Sequence, residues 1–219
     1  WKQFGEHDKY IPQLNFHMPF AYKCDEYKYE VPFGTCIRKP ADDDRPSTGF
    51  VLAMNKDTRN KSMMLYSDSK YGYRTQENSL SLTLIRGSYD PDPYPEIGMH
   101  KFQIAVGLTD NPDNMSLIEQ ASCIMHPLIS MSVKPQKGTL ATKGNFMKVL
   151  EKGTCVISSV KMSDIDTKIA VIRLYETENK KSKTTISFDR KIKSAKHVLL
   201  DEITYYTDSV LLIEKDCIT

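Results

Sequence analysis

Two neighbouring stretches carry side chains whose types and spacing could do chemistry. The first is Ser67-Asp68-Ser69-Lys70-Tyr71-Gly72-Tyr73-Arg74, a turn rich in aromatic and charged groups. The second runs from Leu80 through Leu82 and Leu84 to Arg86, then into Tyr89-Asp90-Pro91-Asp92-Pro93-Tyr94-Pro95. Asp68 and Lys70 can hydrogen-bond hydroxyl groups or each other. Tyr71 and Tyr73 flank Gly72, which permits a tight turn, and exposed aromatic rings there suit sugar C–H faces and domain interfaces alike. Arg86 shares parity with Leu80, Leu82 and Leu84, so it is expected in phase with the buried face of a strand. A guanidinium there needs a partner, because an unpaired buried charge is costly. Asp90 or Asp92 could supply it, as a structural salt bridge; a substrate-side role is the alternative, and the two can coexist. Three prolines stiffen the acidic loop. Asp90 and Asp92 resemble a carboxylate dyad only superficially: two residues apart between prolines, they read as a loop-shaping pair.

Bulk properties narrow the function classes. The 219 residues carry 30 Lys and Arg against 28 Asp and Glu, a formal net charge of +2. That balance argues against a dedicated nucleic-acid or anionic-membrane binder. No apolar run approaches the roughly 20 residues of a membrane span, and no signal peptide is visible. Cys24, Cys36, Cys123, Cys155 and Cys217 are scattered and odd in number. They read as reduced thiols of a reducing, cytoplasmic compartment. The five histidines have no metal-ligand spacing, so no metal site is expected within this chain. The abrupt start at Trp1-Lys2-Gln3-Phe4 reads as a piece of something longer.

The elements that must position these residues are mostly strands. Leu14 to Phe20 and Tyr27 to Phe33 alternate apolar and polar residues with period two. Gly49 to Met54 is an almost continuous apolar run, a strand buried on both faces. Ser62 to Tyr66, Leu80 to Leu84, Met99 to Val106, Thr154 to Lys161, Lys168 to Glu176, Thr184 to Phe188, Ala195 to Leu200 and Ser209 to Ile213 follow. Residues 39 to 48 read as a solvated polar loop between prolines, despite Asp42-Asp43-Asp44. One helix is expected from Pro112 to His126, capped by Asp110 or Asn111, with Leu117, Ala121, Ile124, Met125 and Leu128 on one stripe. The fold class is all-β: antiparallel β-sandwich domains with one short helix. The polar connector around 130–145 suggests a larger domain over 1–132 and a smaller one over 133–219.

Gly49 to Val106 resembles the C-terminal β region of α-mannosidases of glycoside hydrolase family 38, in the bacterial and cytosolic or vacuolar branch. The resemblance rests on Asp68-Ser69-Lys70-Tyr71-Gly72-Tyr73, the strand Leu80 to Arg86, Asp90-Pro91-Asp92-Pro93, and Ile97-Gly98-Met99-His100-Lys101-Phe102. Val160 to Asp164 with Ile172 to Glu176 looks like the family's last β domain, and Trp1 to Phe33 matches more loosely. The resemblance implies a parent enzyme that is a retaining, zinc-dependent α-mannosidase acting on terminal α-mannosyl residues. Retaining hydrolysis uses two carboxyl groups about 5 Å apart. In the family the nucleophile and zinc ligands lie in an N-terminal catalytic domain, and nothing in this chain matches those motifs. The chain alone is therefore expected to be inactive. Its expected partners are that catalytic domain and a mannose-containing oligosaccharide, with homo-oligomer contacts as a further role. Arg86 best matches an arginine that the family places near the substrate, with Tyr71, Tyr73, Lys70 and Asp68 as further candidates for substrate binding. A stand-alone carbohydrate-binding module and a purely structural sandwich are the alternatives.

Overall fold

The computed structural model describes residues 11–57, 61–87, 96–110, 113–139, 141–151, 153–206, 211–214 and 216–219. The chain divides into two compact units, Trp1–Pro127 and Leu128–Thr219. The division falls just before the expected position at 132.

Unit 1 contains β1 (Gln13–Pro19), β2 (Tyr27–Val31), β3 (Gly34–Arg38), β4 (Ala41–Pro46), β5 (Phe50–Ala53), β6 (Ser62–Ser67), β7 (Gly72–Gln76), β8 (Ser79–Arg86), β9 (Ile104–Thr109) and the helix α1 (Asn114–Met125). One sheet has the order β1-β8-β7-β4 and the other β3-β2-β5-β6-β9. All the pairings are antiparallel. Between the sheets, Met18, Tyr27, Tyr29, Val51, Ala53, Leu65, Tyr73, Leu80 and Leu82 form one buried cluster. The alternation that predicts strands also assigns their faces, since Tyr27 and Tyr29 point inward while Lys28 and Glu30 point to the other side. On that side Lys28 Nζ and Thr35 Oγ1 both donate to Asn114 Oδ1, at 2.9 Å each, at the start of α1. The helix buries Leu117, Ile118 and Ala121. With apolar layers on both faces, β5 is buried throughout, as its continuous apolar run requires.

Several boundaries differ from the expectation for physical reasons. The polar stretch 39–48 contains β4, an edge strand in which Asp44 is shielded by neighbours while Asp42 and Asp43 stay exposed. Asp44 pairs with Arg74 at 3.1 Å and accepts from Thr83 Oγ1 at 2.8 Å, while Asp42 accepts from Gln76 at 3.1 Å. Charges and proline are common on edge strands because they discourage further pairing. Pro32-Phe33 turns β2 into β3, with Phe33 at φ 65°. The helix cap is Asp113, whose carboxylate accepts the Ser116 N–H at 2.9 Å. Asp110 instead holds Lys61 Nζ at 2.7 Å, and Asn111 and Pro112 lie outside the described residues. Leu128 is fully exposed and not part of the helical stripe.

Unit 2 contains β10 (Met147–Glu151), β11 (Cys155–Met162), β12 (Ala170–Glu176), β13 (Thr185–Phe188), β14 (Ile213–Glu214) and β15 (Cys217–Ile218). They form the sheet β10-β13-β15-β14 and the hairpin β11-β12. The strand expected at 195–200 is reduced to a bridge between Val198 and Tyr205. The described residues are thus mostly antiparallel sheet with one helix, the all-β sandwich class.

Candidate functional site

The turn after β6 is built by Ser67. Its Oγ accepts the Lys70 N–H at 3.0 Å and the Ser69 N–H at 3.4 Å, a serine turn that replaces strand hydrogen bonds. Ser69 Oγ donates to Asp68 Oδ1 at 2.8 Å, leaving the exposed Asp68 carboxylate with further acceptor capacity. Lys70 Nζ stands 5.1 Å from the centre of the Phe102 ring, a cation–π contact of roughly 0.5–1 kcal/mol at such a site. Phe102 in turn stacks on His100 with ring centres 5.9 Å apart. His100 Nε2 lies 2.7 Å from the Glu96 carbonyl oxygen. The turn at 68–71 and the segment 96–102 therefore come together, although they are some thirty positions apart in sequence.

Tyr71 is 52% exposed, while its carbonyl accepts the Ser47 N–H at 3.0 Å. Tyr73 is different. It is wholly buried in the core, and its hydroxyl donates to the Gly49 carbonyl at 2.9 Å. Burial pushes its phenol well above the ordinary range. The expectation of two exposed aromatic rings thus holds for Tyr71 alone. Gly72 begins β7, so Tyr73 follows the strand's inward face and Tyr71 precedes the strand.

Arg86 is also placed differently. The pairing of β1 with β8 shifts between Leu14 and Asn15, opposing Leu14 to Ile85 and Asn15 to Thr83. Leu84 is the extra residue. The bulge breaks the alternation, so Ile85 is buried and Arg86 is exposed. Arg86 therefore does not stand on the core face. Its suggested partners Asp90 and Asp92, with the rest of the proline-rich loop at 89–95, lie outside the described residues. Tyr73 opposes Leu82, so the start of β7 and the end of β8 share one end of the sheet. Asp68, Lys70, Tyr71 and Arg86 all lie towards that end. A shallow depression lined by Phe20, Tyr22, Lys23, Glu77 and Asn78 lies at the opposite end of these strands.

Sequence reasoning missed Glu30. Burial raises the pKa of its carboxyl to about 6, against the lowering influence of the nearby Phe50 N–H and Thr48 hydroxyl. Oε2 is buried with no hydrogen-bond partner. A Cβ at Gly49 would meet that oxygen and, at 2.8 Å, Met125 Sδ. The only sequence signal was Glu30 sharing the outward face of β2 with Lys28; the covering helix follows more than eighty residues later. Among the described residues, no three His, Cys, Asp or Glu side chains gather in a way that could hold a metal ion. The residues here do not fit a zinc centre, and no zinc-dependent step is assigned to them. What the exposed end of the sheet offers is a cation, a carboxylate and an aromatic face, a set suited to binding hydroxylated ligands or a neighbouring surface.

Comparison with known proteins fits this architecture. Residues 3–94 match the family model described as glycosyl hydrolases family 38 C-terminal domain. The structure of an alpha-mannosidase from Enterococcus faecalis V583 superposes with a TM-score of 0.67 at 15% identity, covering 81% of this chain and 22% of that one. A protein in the glycosyl hydrolase family 38 from Enterococcus faecalis gives a TM-score of 0.72 at 14% identity, covering 94% of this chain and 26% of that one. At such identities the likeness establishes the fold. The chain spans about a quarter of the length of these solved structures. No curated protein matches it. Residues 3–94, which carry Lys70, Tyr71 and Arg86, are thus similar to the C-terminal domain of glycosyl hydrolases family 38.

Proposed function

We propose that this chain is the C-terminal β region of a larger retaining, zinc-dependent α-mannosidase. In this reading the nucleophile and zinc belong to an N-terminal catalytic domain outside the chain. The chain scaffolds that domain and contributes one wall of the cleft that takes a terminal α-mannosyl residue of an oligosaccharide. The observation that carries the reading is the family match over residues 3–94, which spans the turn at 68–71 and the end of β8. The fold likeness to an alpha-mannosidase about four times as long supports it. Five unpaired cysteines fit a reducing, cytoplasmic setting.

Arg86 gains support from its exposure. A guanidinium at a sheet end, free of the core, can reach a hydroxyl or carboxylate that the catalytic domain presents. The test compares the 219-residue chain with the polypeptide extended upstream, using hydrolysis of a terminal α-mannoside. Activity is expected only in the extended form, and Arg86→Ala there should lower kcat/KM by about tenfold or more, the scale of one charge-assisted hydrogen bond. An extended polypeptide without α-mannosidase activity would refute the reading. Unchanged turnover and stability in Arg86→Ala would remove Arg86 from the cleft.

A further inference from the structure

Helix α1 seats its last turn on an acid. A Cβ at Gly49 would run into Glu30 Oε2 and, at 2.8 Å, Met125 Sδ, so that oxygen and that sulfur flank one point. Met125 is the final residue of α1. Oε2 is buried with no hydrogen-bond partner, a costly state for an ionised carboxylate. The helix adds a second cost. Its C-terminal end carries partial negative charge, and its last turn has no basic residue to offset it. The surrounding elements supply no ion pair to Glu30 either. Lys28, two residues away on β2, gives its Nζ to Asn114 Oδ1 at the other end of the helix, as does the hydroxyl of Thr35, which faces Glu30 from β3. Tyr66 opposes Phe50 from β6, and Tyr73 reaches the Gly49 carbonyl from β7. Burial raises both phenols, so they stay neutral near pH 7. On α1 and its cap the titratable side chains are Glu119, Cys123 and His126. Cys123 and His126 are exposed, and the His126 ring lies 3.2 Å from the Ser122 carbonyl.

We infer that Glu30 makes the seat of α1 a proton-operated latch. With the carboxyl neutral, the last turn of the helix stays packed on β2. When the proton leaves, that turn lifts and water reaches Oε2. The start of the helix, tied to Lys28 and Thr35 through Asn114, does not depend on Glu30 and stays in place. The seated form binds the proton more tightly, with the carboxyl at about 6 against an ordinary 4.5. Full ionisation therefore raises the lifted fraction by up to about thirtyfold, ten to the power of that difference. The latch belongs to unit 1 itself and is independent of the enzymatic reading.

Peroxide oxidation of methionines in the 219-residue chain, located by mass spectrometry, reads the latch, because a thioether does not titrate in this range. From pH 4.5 to 7.5 the rate at Met125, relative to the 90% exposed Met99, should rise about tenfold. Met64, wholly buried on β6, should stay slow throughout, which separates a local lift from unfolding of unit 1. Glu30→Gln, which cannot ionise, should hold Met125 at its slow rate across the whole range. A level Met125 rate in the wild-type chain overturns the inference, and so does a rise that Met64 shares. A rise that persists in Glu30→Gln also overturns it and assigns the lift to His126. Should Glu30→Gln not fold, the wild-type rates at Met125 and Met64 decide alone.

Discussion

In unit 1, Tyr27, Tyr29, Phe50, Leu52, Leu65, Tyr73, Leu80 and Leu82 are all wholly buried, and β5 is enclosed on both faces. In unit 2, among the described residues, Ile186 is the one apolar side chain that reaches burial, while Leu128, Ile129, Met131, Val160, Met162 and Leu200 face solvent. Both units are antiparallel sheet with similar alternation, so strand pattern alone does not separate them. What separates them is the third layer. Unit 1 closes two sheets on each other and covers the outer face of the second with α1. Unit 2 has a hairpin, β11–β12, with apolar residues on both faces: Val160, Met162 and Leu174 are exposed on one, and Val156, Val171 and Tyr175 are half-buried on the other. A sheet is stable when something covers its apolar side, and unit 1 carries its own cover.

Core substitutions should expose this contrast most strongly. Leu82→Ala in unit 1 should cost about 2–5 kcal/mol, because the packed sheets cannot collapse into the space. Urea unfolding measures it, and a loss below about 1 kcal/mol would mean that the sandwich is loosely packed. Gly153→Ala probes unit 2, where backbone geometry matters more than core. Gly153 sits at φ 53°, and a Cβ there would meet Ser182 Oγ and the Lys183 carbonyl oxygen. A loss of about 1–3 kcal/mol is expected, and a neutral result would show that the turn relaxes freely.

Titration should separate the units by sign. The folded pKa of Glu30 is raised to about 6 from an ordinary 4.5. The folded state therefore holds its proton more tightly. The stability this adds is complete below pH 4.5 and is lost as pH rises through about 6, by about 1–2 kcal/mol at most. Glu30→Gln should flatten that part of the profile. Glu202 behaves oppositely: Lys161 holds its carboxyl down at about 2. Its contribution is present above pH 4.5 and lost as pH falls towards 2. A stability of unit 1 that rises with pH between 4.5 and 7 would contradict the assignment for Glu30. The smallest effect is expected for Val160→Thr in the 219-residue chain, within about 0.5 kcal/mol, because the side chain already meets water. A larger loss would show the hairpin face to be covered.

The sequence made the strand faces of unit 1 legible. Tyr27 with Tyr29, and Leu80 with Leu82, declare their burial by alternation, and Gly49 to Met54 declares burial on both sides by having no polar residue. Such patterns are local, and the backbone's two-residue period converts them directly into faces. The resemblance carried by Asp68 to Tyr73 was equally local. Arg86 was not legible, because its side depends on a bulge at Leu84, and the bulge is set by register against a strand seventy residues earlier. Nor was β4, since Asp42 and Asp44 become strand residues only once Gln76, Arg74 and Thr83 stand beside them. Tyr71 and Tyr73 have the same identity and near-identical neighbours, yet one is exposed and one buried. Composition and period thus determined that this chain is mostly antiparallel sheet. Only tertiary structure decided which charges face water and which carboxylate is trapped beside the helix, because each depends on partners far away in sequence.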